Sequence, residues 1–337
     1  MRKVDEVKKD IDTMALIAEK IYNRLKEQYP DRTNNSEVVR VIKELHINED
    51  FDEGCVRLVA FWIYHGMKSL FLQDADALVF RTDHMVDVLN YVRYKFPTIE
   101  RVTTYSRAKT VSRKSIEELA ALRGAGLNRI HIGMESGSDA VLELICKGVT
   151  KEEQILAGRN VIKAGFELSE YFMPGVGGKE HSAENVTDSA EVLNATNPTF
   201  IRIRSTVPRP GTPLYDMMLR KEWTPLTEEE KVGEIKALIE NLKNITSTVK
   251  SDHIMNLLED VDGTIPDDKS KMLAVINDFQ RMNQDDKESF IVGRRLGRYR
   301  YLSDFAPMHE IEMIKREIKD KYSSVDEGVM DILRNYI

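Results

Sequence analysis

Polar and charged residues recur in this sequence at the points where short apolar runs end. The runs are rich in β-branched and aromatic residues, which is typical of buried strands. In parallel barrels and open α/β sheets, active sites are built where the carboxyl ends of the strands gather. The pattern therefore indicates an enzyme cleft. The polar segments are Asp74–Asp76, Ser106–Arg107, Glu135–Ser136, Gly175–Gly178 and Thr206–Arg209.

The apolar runs alternate with segments of helical periodicity, and this order predicts parallel βαβ units. Gly126 and Gly165 stand just before two of the runs, where glycine commonly ends a helix. We therefore expect an α/β sheet or barrel with right-handed crossovers. The predicted strands are 69–74, 101–106, 129–135, 167–173 and 200–205.

The flanking regions are predicted to be helical. An amphipathic helix is expected over 4–28, and a long helix over 227–249. The domains that we predict are an N-terminal helical region (1–66), a core barrel (67–249) and a helical C-terminal region (250–337).

Composition excludes several classes of function. The 337 residues carry a net charge of −7 and are 42% hydrophobic, so we expect a sizeable core, no clear nucleic-acid site and no membrane partner. The two cysteines, Cys55 and Cys146, provide no disulfide framework and favour a cytoplasmic setting. Two separated cysteines also do not supply the clustered thiolates of an iron–sulfur site. Both are interpreted as core thiols.

Three segments together resemble the radical S-adenosylmethionine (AdoMet) enzymes. Residues 71–78 (FLQDADAL) are similar to the second strand of those enzymes and to the loop that binds the AdoMet amino group. Residues 132–137 (IGMESG) are similar to the fourth strand, and residues 207–214 (VPRPGTPL) to the turn after the sixth. The resemblance covers roughly residues 66–245 and is closest to the Elp3-, MiaB- and coproporphyrinogen-oxidase-like group.

The resemblance implies a partial (β/α)6 TIM-like barrel whose first strand precedes a C-x-x-x-C-x-x-C loop. This sequence has neither, so we expect an α/β barrel missing its first strand, with a helical C-terminal extension, and a start at an internal methionine or a truncation. Natural degeneration of the cluster site is the rival interpretation. A [4Fe–4S] cluster is then expected in the full-length protein only, and this chain alone is expected to be inactive.

The resemblance also implies AdoMet as cofactor, an electron donor such as ferredoxin or flavodoxin, and a small-molecule or peptide substrate. In the family the corresponding residues meet the amino group, ribose, carboxylate and adenine of AdoMet. Arg204 is expected to contact a carboxylate or the substrate. The implied site residues are Asp74, Ala75, Asp76, Tyr105, Ser106, Arg107, Glu135, Ser136, Lys147, Tyr171, Arg204, Val207 and Pro208.

Several of these residues also have a structural interpretation. Asp76 or Asp83 is a candidate cap of the next helix, and Lys147 is a candidate for an ordinary exposed lysine. Glu135 is a candidate for a buried salt bridge to Arg107 or Arg204. Residues 174–178 fit either a close approach to adenosine or a plain turn.

Other polar residues are expected to be structural. His131 is interpreted as a satisfied buried histidine, and Asp252 as the cap of a helix that carries His253 and Asn256 on one face. The run Arg294–Arg298 is interpreted as a solvated helix face.

Two alternative functions remain beside a radical enzyme. A degenerate barrel would bind AdoMet or a nucleotide without radical chemistry. An aldolase-type barrel would need a Schiff-base lysine in a strand, and the predicted strands contain no lysine.

Overall fold

A computed structural model of the protein describes residues 2–30, 36–44, 51–73 and 75–334. The chain divides into two compact units, which are described separately. The first comprises residues 1–110, 114–130 and 163–166, and the second comprises residues 111–113, 131–162 and 167–337.

The first unit contains the N-terminal helices and the first strands. Helix α1 was predicted over 4–28, and the structure confirms those bounds. The strand β3 begins in this unit and ends in the second, as does the short helix α5. The elements are α1 (Val4–Gln28), α2 (Ser36–Glu44), α3 (Glu53–Tyr64), β1 (Ser69–Leu72), α4 (Thr82–Lys95), β2 (Arg101–Ser106), α5 (Ala108–Ser112), α6 (Ile116–Gly124) and β3 (Leu127–Glu135).

Helix α1 is amphipathic and contributes the core of this unit. Ile17 and Ile21 are fully buried, and the helix packs against α3 and α4. Its polar face is tied to α4, because Lys8 Nζ lies 2.8 Å from the Asp87 carboxylate and Tyr91 donates a hydrogen bond to Asp12 at 2.7 Å. Hydrophobic burial thus sets the orientation of α1, and the surface pairs add little to its stability.

The second unit holds the remaining strands and the C-terminal helices. Its core includes Met134, Phe172 and Ile203, together with apolar residues of the later helices. The elements after β3 are α7 (Asp139–Leu144), α8 (Lys151–Lys163), β4 (Glu167–Phe172), α9 (Ser182–Thr196), β5 (Phe200–Ile203), α10 (Pro213–Leu219), α11 (Glu228–Asn241), β6 (Thr248–Lys250), β7 (Gly263–Thr264), α12 (Lys269–Arg281), α13 (Gln284–Arg295), α14 (His309–Lys321) and α15 (Val325–Arg334).

The strands form one sheet in the order β1-β2-β3-β4-β5-β6-β7. Strand β1 is parallel to β2, β4 to β5 and β5 to β6, whereas β7 is antiparallel to β6. Strands in chain order with helical crossovers are the topology of a (β/α) barrel left open. The predicted α/β class and partial-barrel topology are confirmed. Among the described helices, none is long and apolar enough to cross a lipid bilayer.

The prediction of a helix over 227–249 is confirmed for 228–241 and wrong for the residues that follow. Helix α11 ends at Asn241, where Leu242 turns to extended backbone. The next residues form β6, which pairs with β5 through Val249 opposite Ile201. The expected helix at 251–256 is also wrong, because those residues form turns.

The interpretation of Arg294–Arg298 as a solvated face is wrong for its first two residues. Arg294 is 7% exposed and Arg295 is 2% exposed. Arg295 pairs with the buried carboxylate of Glu228, and Arg294 with Glu259. A buried charge needs such a partner, and these partners lie far away in sequence.

Gly178→Ala is expected to destabilise the second unit by roughly 2–4 kcal/mol. Gly178 has φ +66°, and a Cβ atom there would lie 2.7 Å from the indole nitrogen of Trp223. Gly148→Ala is the matched control, since Gly148 has φ +70° and no heavy atom within 4 Å of an added Cβ. The control isolates backbone strain of about 1 kcal/mol. Urea denaturation measures both, and equal losses would contradict the packing argument.

Candidate functional site

In the first unit, the carboxylate of Asp76 is held entirely by the protein. Its Oδ1 atom accepts hydrogen bonds from the Ser106 hydroxyl at 2.7 Å and the Arg107 amide at 3.1 Å, and its Oδ2 atom accepts one from Thr110. Asp76 precedes a short 3-10 helix but makes no side-chain cap, so the capping interpretation is wrong for Asp76. The carboxylate instead fixes the loop after β1 to the end of β2.

This loop borders a cavity of about 650 Å³ in the first unit. Ala75, Asp76 and Arg107 line it, together with Val7 of α1 and Met85 of α4. Asp74, which was predicted to lie beside them, is outside the described residues. The Asp76 carboxylate and the Ser106 hydroxyl are engaged with each other. The polar side chains of the described lining that remain for a ligand include Gln73 and Arg107.

Tyr105 lies at the end of β2 with its ring 4.8 Å from that of Phe71 on β1. The tyrosine is 38% exposed, whereas Ser106 is 3% exposed. The three predicted residues at this strand end therefore differ, with Ser106 structural and Tyr105 and Arg107 at the surface of the unit.

In the second unit, β3 ends in an ion pair between Glu135 and Lys147. The Lys147 Nζ atom lies 2.9 Å from Glu135 Oε1, and the two side chains are 19% and 21% exposed. Glu135 has φ +63°, a left-handed conformation that is costly for a side chain larger than glycine. Gly133 leaves the space that the pair occupies, because a Cβ there would lie 2.3 Å from Glu135 Oε1. Strain of this kind is concentrated at functional sites.

This geometry decides between the alternatives for the partner of Glu135 and for the exposure of Lys147. Glu135 pairs with Lys147 rather than with Arg204, and Lys147 is largely buried rather than an ordinary exposed lysine. Ser136 is fully buried, and its hydroxyl accepts a hydrogen bond from the Ser138 amide at 3.1 Å. Ser136 thus shapes the turn into α7, and its contact with AdoMet stays a prediction.

Glu170 on β4 is a buried acid that the sequence did not single out. It is 2% exposed, and its Oε2 atom has no hydrogen-bond partner in the part of the chain that the structure describes. Burial raises the pKa of Glu170 to about 8; the Glu135 carboxylate adds to the rise and Lys147 opposes it. Glu170 is therefore mostly protonated at neutral pH and belongs to the same electrostatic group as the ion pair.

Tyr171 joins β4 to both neighbouring strands. Its hydroxyl is 3.0 Å from His131 Nδ1, and the guanidinium of Arg204 lies over its ring at 5.1 Å. His131 is 6% exposed, which confirms its interpretation as a satisfied buried histidine. The predicted residues Tyr171 and Arg204 are thus brought together.

The turn at 174–178 is held by the protein itself. Glu234 of α11 accepts hydrogen bonds from the Gly175 amide at 2.7 Å and from Ser182 at 2.6 Å. Burial raises the pKa of Glu234, and those hydrogen bonds oppose the rise. Val207 and Pro208 lie beside Gly175 around a small cavity. The contact of these two residues with adenine stays a prediction.

The residues present do not fit an iron–sulfur cluster. The described residues include no group of three metal-binding side chains, and the sequence has two cysteines. Cys55 is half-buried and belongs to the first unit, whereas Cys146 is exposed and belongs to the second. The interpretation of Cys146 as a core thiol is wrong, because it follows α7 in a left-handed turn.

Comparison with known proteins identifies several relatives. A profile of the radical SAM superfamily matches residues 25–190. An uncharacterized methyltransferase of Pyrococcus horikoshii is 23% identical over 215 residues, which is 62% of this chain and 42% of that protein. A tRNA uridine(34) acetyltransferase of Methanocaldococcus infernus is 29% identical over 134 residues, which is 39% of this chain and 24% of that protein. The chain thus spans less than half the length of these relatives.

Among solved structures, the archaeal Elp3 of Methanocaldococcus infernus with an N-terminal deletion is similar, with a TM-score of 0.44 and 20% identity over 55% of this chain and 48% of that one. Coproporphyrinogen III oxidase from Escherichia coli has a TM-score of 0.41 and 14% identity over 52% of this chain and 40% of that one.

Glu170→Gln is expected to remove a pH dependence of stability. Since the folded pKa lies above the ordinary value of 4.5, the stability contributed by protonated Glu170 is complete at low pH and is lost as the pH rises through about 8. The free energy of unfolding of the wild type should therefore fall, relative to the variant, by on the order of 3 kcal/mol between about pH 5 and pH 9. Urea denaturation across this range measures it.

Glu317→Gln, an exposed glutamate on α14, is the control and should parallel the wild type. Parallel curves for Glu170→Gln and the wild type would show that Glu170 ionises normally.

The three motifs that carried the resemblance occur in the structure at strand ends or in the loops that follow them. Residues 71–78 run from β1 into the adjoining loop, residues 132–137 close β3, and residues 207–214 follow β5. The superfamily profile covers the first two of these. Over residues 25–190 the chain is similar to the radical SAM superfamily.

Proposed function

We propose that this chain binds AdoMet at the carboxyl ends of its strands, as the AdoMet-binding part of a radical SAM enzyme. The observation that carries the proposal is the largely buried pair of Glu135 and Lys147 on strained backbone at the end of β3. The similarity to the radical SAM superfamily makes AdoMet the expected ligand. The substrate and the reaction outcome do not follow from these residues.

The ion pair suits a zwitterionic ligand because its partners can be exchanged. Lys147 would hold the AdoMet carboxylate, and Glu135 would accept hydrogen bonds from ammonium or hydroxyl donors of the same molecule. Each charge keeps a partner, so neither is left buried and unpaired. When bound, AdoMet supplies a sulfonium-activated carbon for cleavage or transfer.

Two features around the ion pair favour the binding of such a ligand. The left-handed backbone of Glu135 holds its carboxylate over Gly133, so little ordering remains to be done when the ligand arrives. Protonated Glu170 adds no negative charge near the pair at neutral pH, which keeps the site open to a carboxylate.

Lys147→Met is expected to weaken AdoMet binding about tenfold or more, because a charge-assisted hydrogen bond contributes about 1.5–3 kcal/mol. Isothermal titration calorimetry with AdoMet measures the change. Lys243→Met is the control, since Lys243 is an exposed lysine of the same unit. Glu135→Gln/Lys147→Met removes both charges and separates lost binding from the cost of an unpaired Glu135. Unchanged affinity in both variants would refute the assignment.

A second candidate function is AdoMet binding without radical chemistry, and the cysteine count favours it. Anaerobic reconstitution with iron and sulfide, followed by dithionite and AdoMet, distinguishes the two. For this chain we expect no cluster absorbance and no 5′-deoxyadenosine, because two cysteines in separate units do not provide three thiolates.

The same assay on a complex with a polypeptide that supplies the C-x-x-x-C-x-x-C loop is expected to give 5′-deoxyadenosine, and an electron donor such as ferredoxin or flavodoxin would replace dithionite. A complex that holds a cluster yet forms no product would favour the second candidate. Product from the isolated chain would contradict the ligand argument.

A further inference from the structure

The turn that follows β6 is fixed to the end of β5 by one buried amide. Asn256 is fully buried, and its Nδ2 atom donates to the Ile203 carbonyl at 2.9 Å. Its Oδ1 atom accepts from the Ser205 amide at 2.9 Å and from the Ser205 hydroxyl at 3.0 Å. Asn256 thus binds the chain on both sides of Arg204. Because His253 lies in the same turn as Asn256, these bonds fix the position of Arg204 relative to His253.

The two arginines at this strand end, Arg202 and Arg204, have different partners. Arg202 forms an ion pair with the Asp252 carboxylate at 2.9 Å. Arg204 lies over the Tyr171 ring at 5.1 Å and forms no ion pair with any carboxylate in the described part of the chain. A cation–π contact leaves the guanidinium charge in place and its fork of N–H donors open.

His253 supplies a second donor beside this charge. Its Nδ1 atom accepts a hydrogen bond from the Met255 amide at 3.3 Å, so the neutral ring carries its proton on Nε2. Burial and the neighbouring Arg204 lower the pKa of His253, while Asp252 opposes this. The lowered pKa favours the neutral imidazole at neutral pH. The Asn256 amide donates to the His253 carbonyl at 2.9 Å, so the residue that holds the chain on both sides of Arg204 also holds the backbone of His253.

We propose that Arg204 and His253 form a binding site for an oxyanion group, a carboxylate or a phosphate, of the substrate. The substrate assignment rests on the proposed AdoMet function, whereas the oxyanion site itself does not. A planar guanidinium pairs with two oxygens of such a group at once, and the His253 Nε2–H donates to another. The anion neutralises the half-buried charge of Arg204, which has no acid partner among the described residues.

Inorganic phosphate, sulfate and acetate are the probes. Each is titrated into the full chain without AdoMet, with calorimetry for affinity and NMR of labelled histidine for the His253 ring. We expect phosphate or acetate to bind and the pKa of His253 to rise on binding, because the anion favours the imidazolium. Sulfate keeps its charge throughout and reports the same rise without titrating itself. A preference for phosphate or for acetate distinguishes the two oxyanion classes.

Arg204→Gln is expected to weaken phosphate binding about tenfold or more and to abolish the shift at His253. His253→Asn keeps an acceptor for the Met255 amide and should weaken binding less. Arg281→Gln, an exposed arginine on α12, is the control and should bind as the wild type does. Circular dichroism confirms that each variant is folded. Arg204→Lys keeps the positive charge but removes the planar pair of N–H donors, so its phosphate affinity separates the two contributions.

Two results would overturn the proposal. One is that the anion site fails its own test: either the wild type binds neither phosphate nor acetate, or Arg204→Gln and His253→Asn bind them as the wild type does. The other is an equal loss of AdoMet and phosphate affinity in Arg204→Gln, which would assign Arg204 to AdoMet. Failure of AdoMet binding alone leaves the anion titration standing, so the two proposals fail separately.

Discussion

The left-handed backbone of Glu135 is the constraint on which the rest of the second unit's strand-end geometry depends. Its carbonyl accepts a hydrogen bond from the Met173 amide at 2.8 Å, so the residue still pairs with the chain that continues β4. Its side chain meanwhile turns back over Gly133 to reach Lys147. One residue therefore ends the strand, begins the turn to α7 and presents a carboxylate. Replacing Gly133 by any larger residue would remove the space for that carboxylate.

Buried acids in the second unit fall into two kinds. For Glu228, burial alone would raise the pKa, but the charges of Arg295 and Lys231 lower it to about 2. Glu234 is satisfied by hydrogen bonds from the turn that it holds. Both join elements distant in sequence, and they are structural. Glu170 Oε2 has no hydrogen-bond partner among the described residues, and the pKa of Glu170 depends on the charges of Glu135 and Lys147. We therefore expect its protonation to respond to a charged ligand at that pair.

The sequence predicted the βα alternation and the residues at the strand ends well, because both follow from short-range patterns. It missed β6, since three residues beside a strongly helical segment carry too little alternation to be distinguished. It also misread Arg295, whose partner Glu228 is 67 residues away along the chain. Asp76 was singled out as a site residue, but only the folded loop shows that its carboxylate accepts hydrogen bonds from Ser106 and Thr110. Long-range pairing of this kind is invisible to periodicity.

The two tryptophans have a practical consequence, because the sequence contains no others and they fall in different units. Trp62 of the first unit is half-buried and donates to the Ser69 carbonyl where β1 begins. Trp223 of the second unit is 2% exposed and donates to the Val176 carbonyl of the glycine turn. Each indole therefore reports on its own unit. With Trp62 replaced by phenylalanine, native fluorescence would follow the glycine turn alone, and with Trp223 replaced it would follow the start of the sheet.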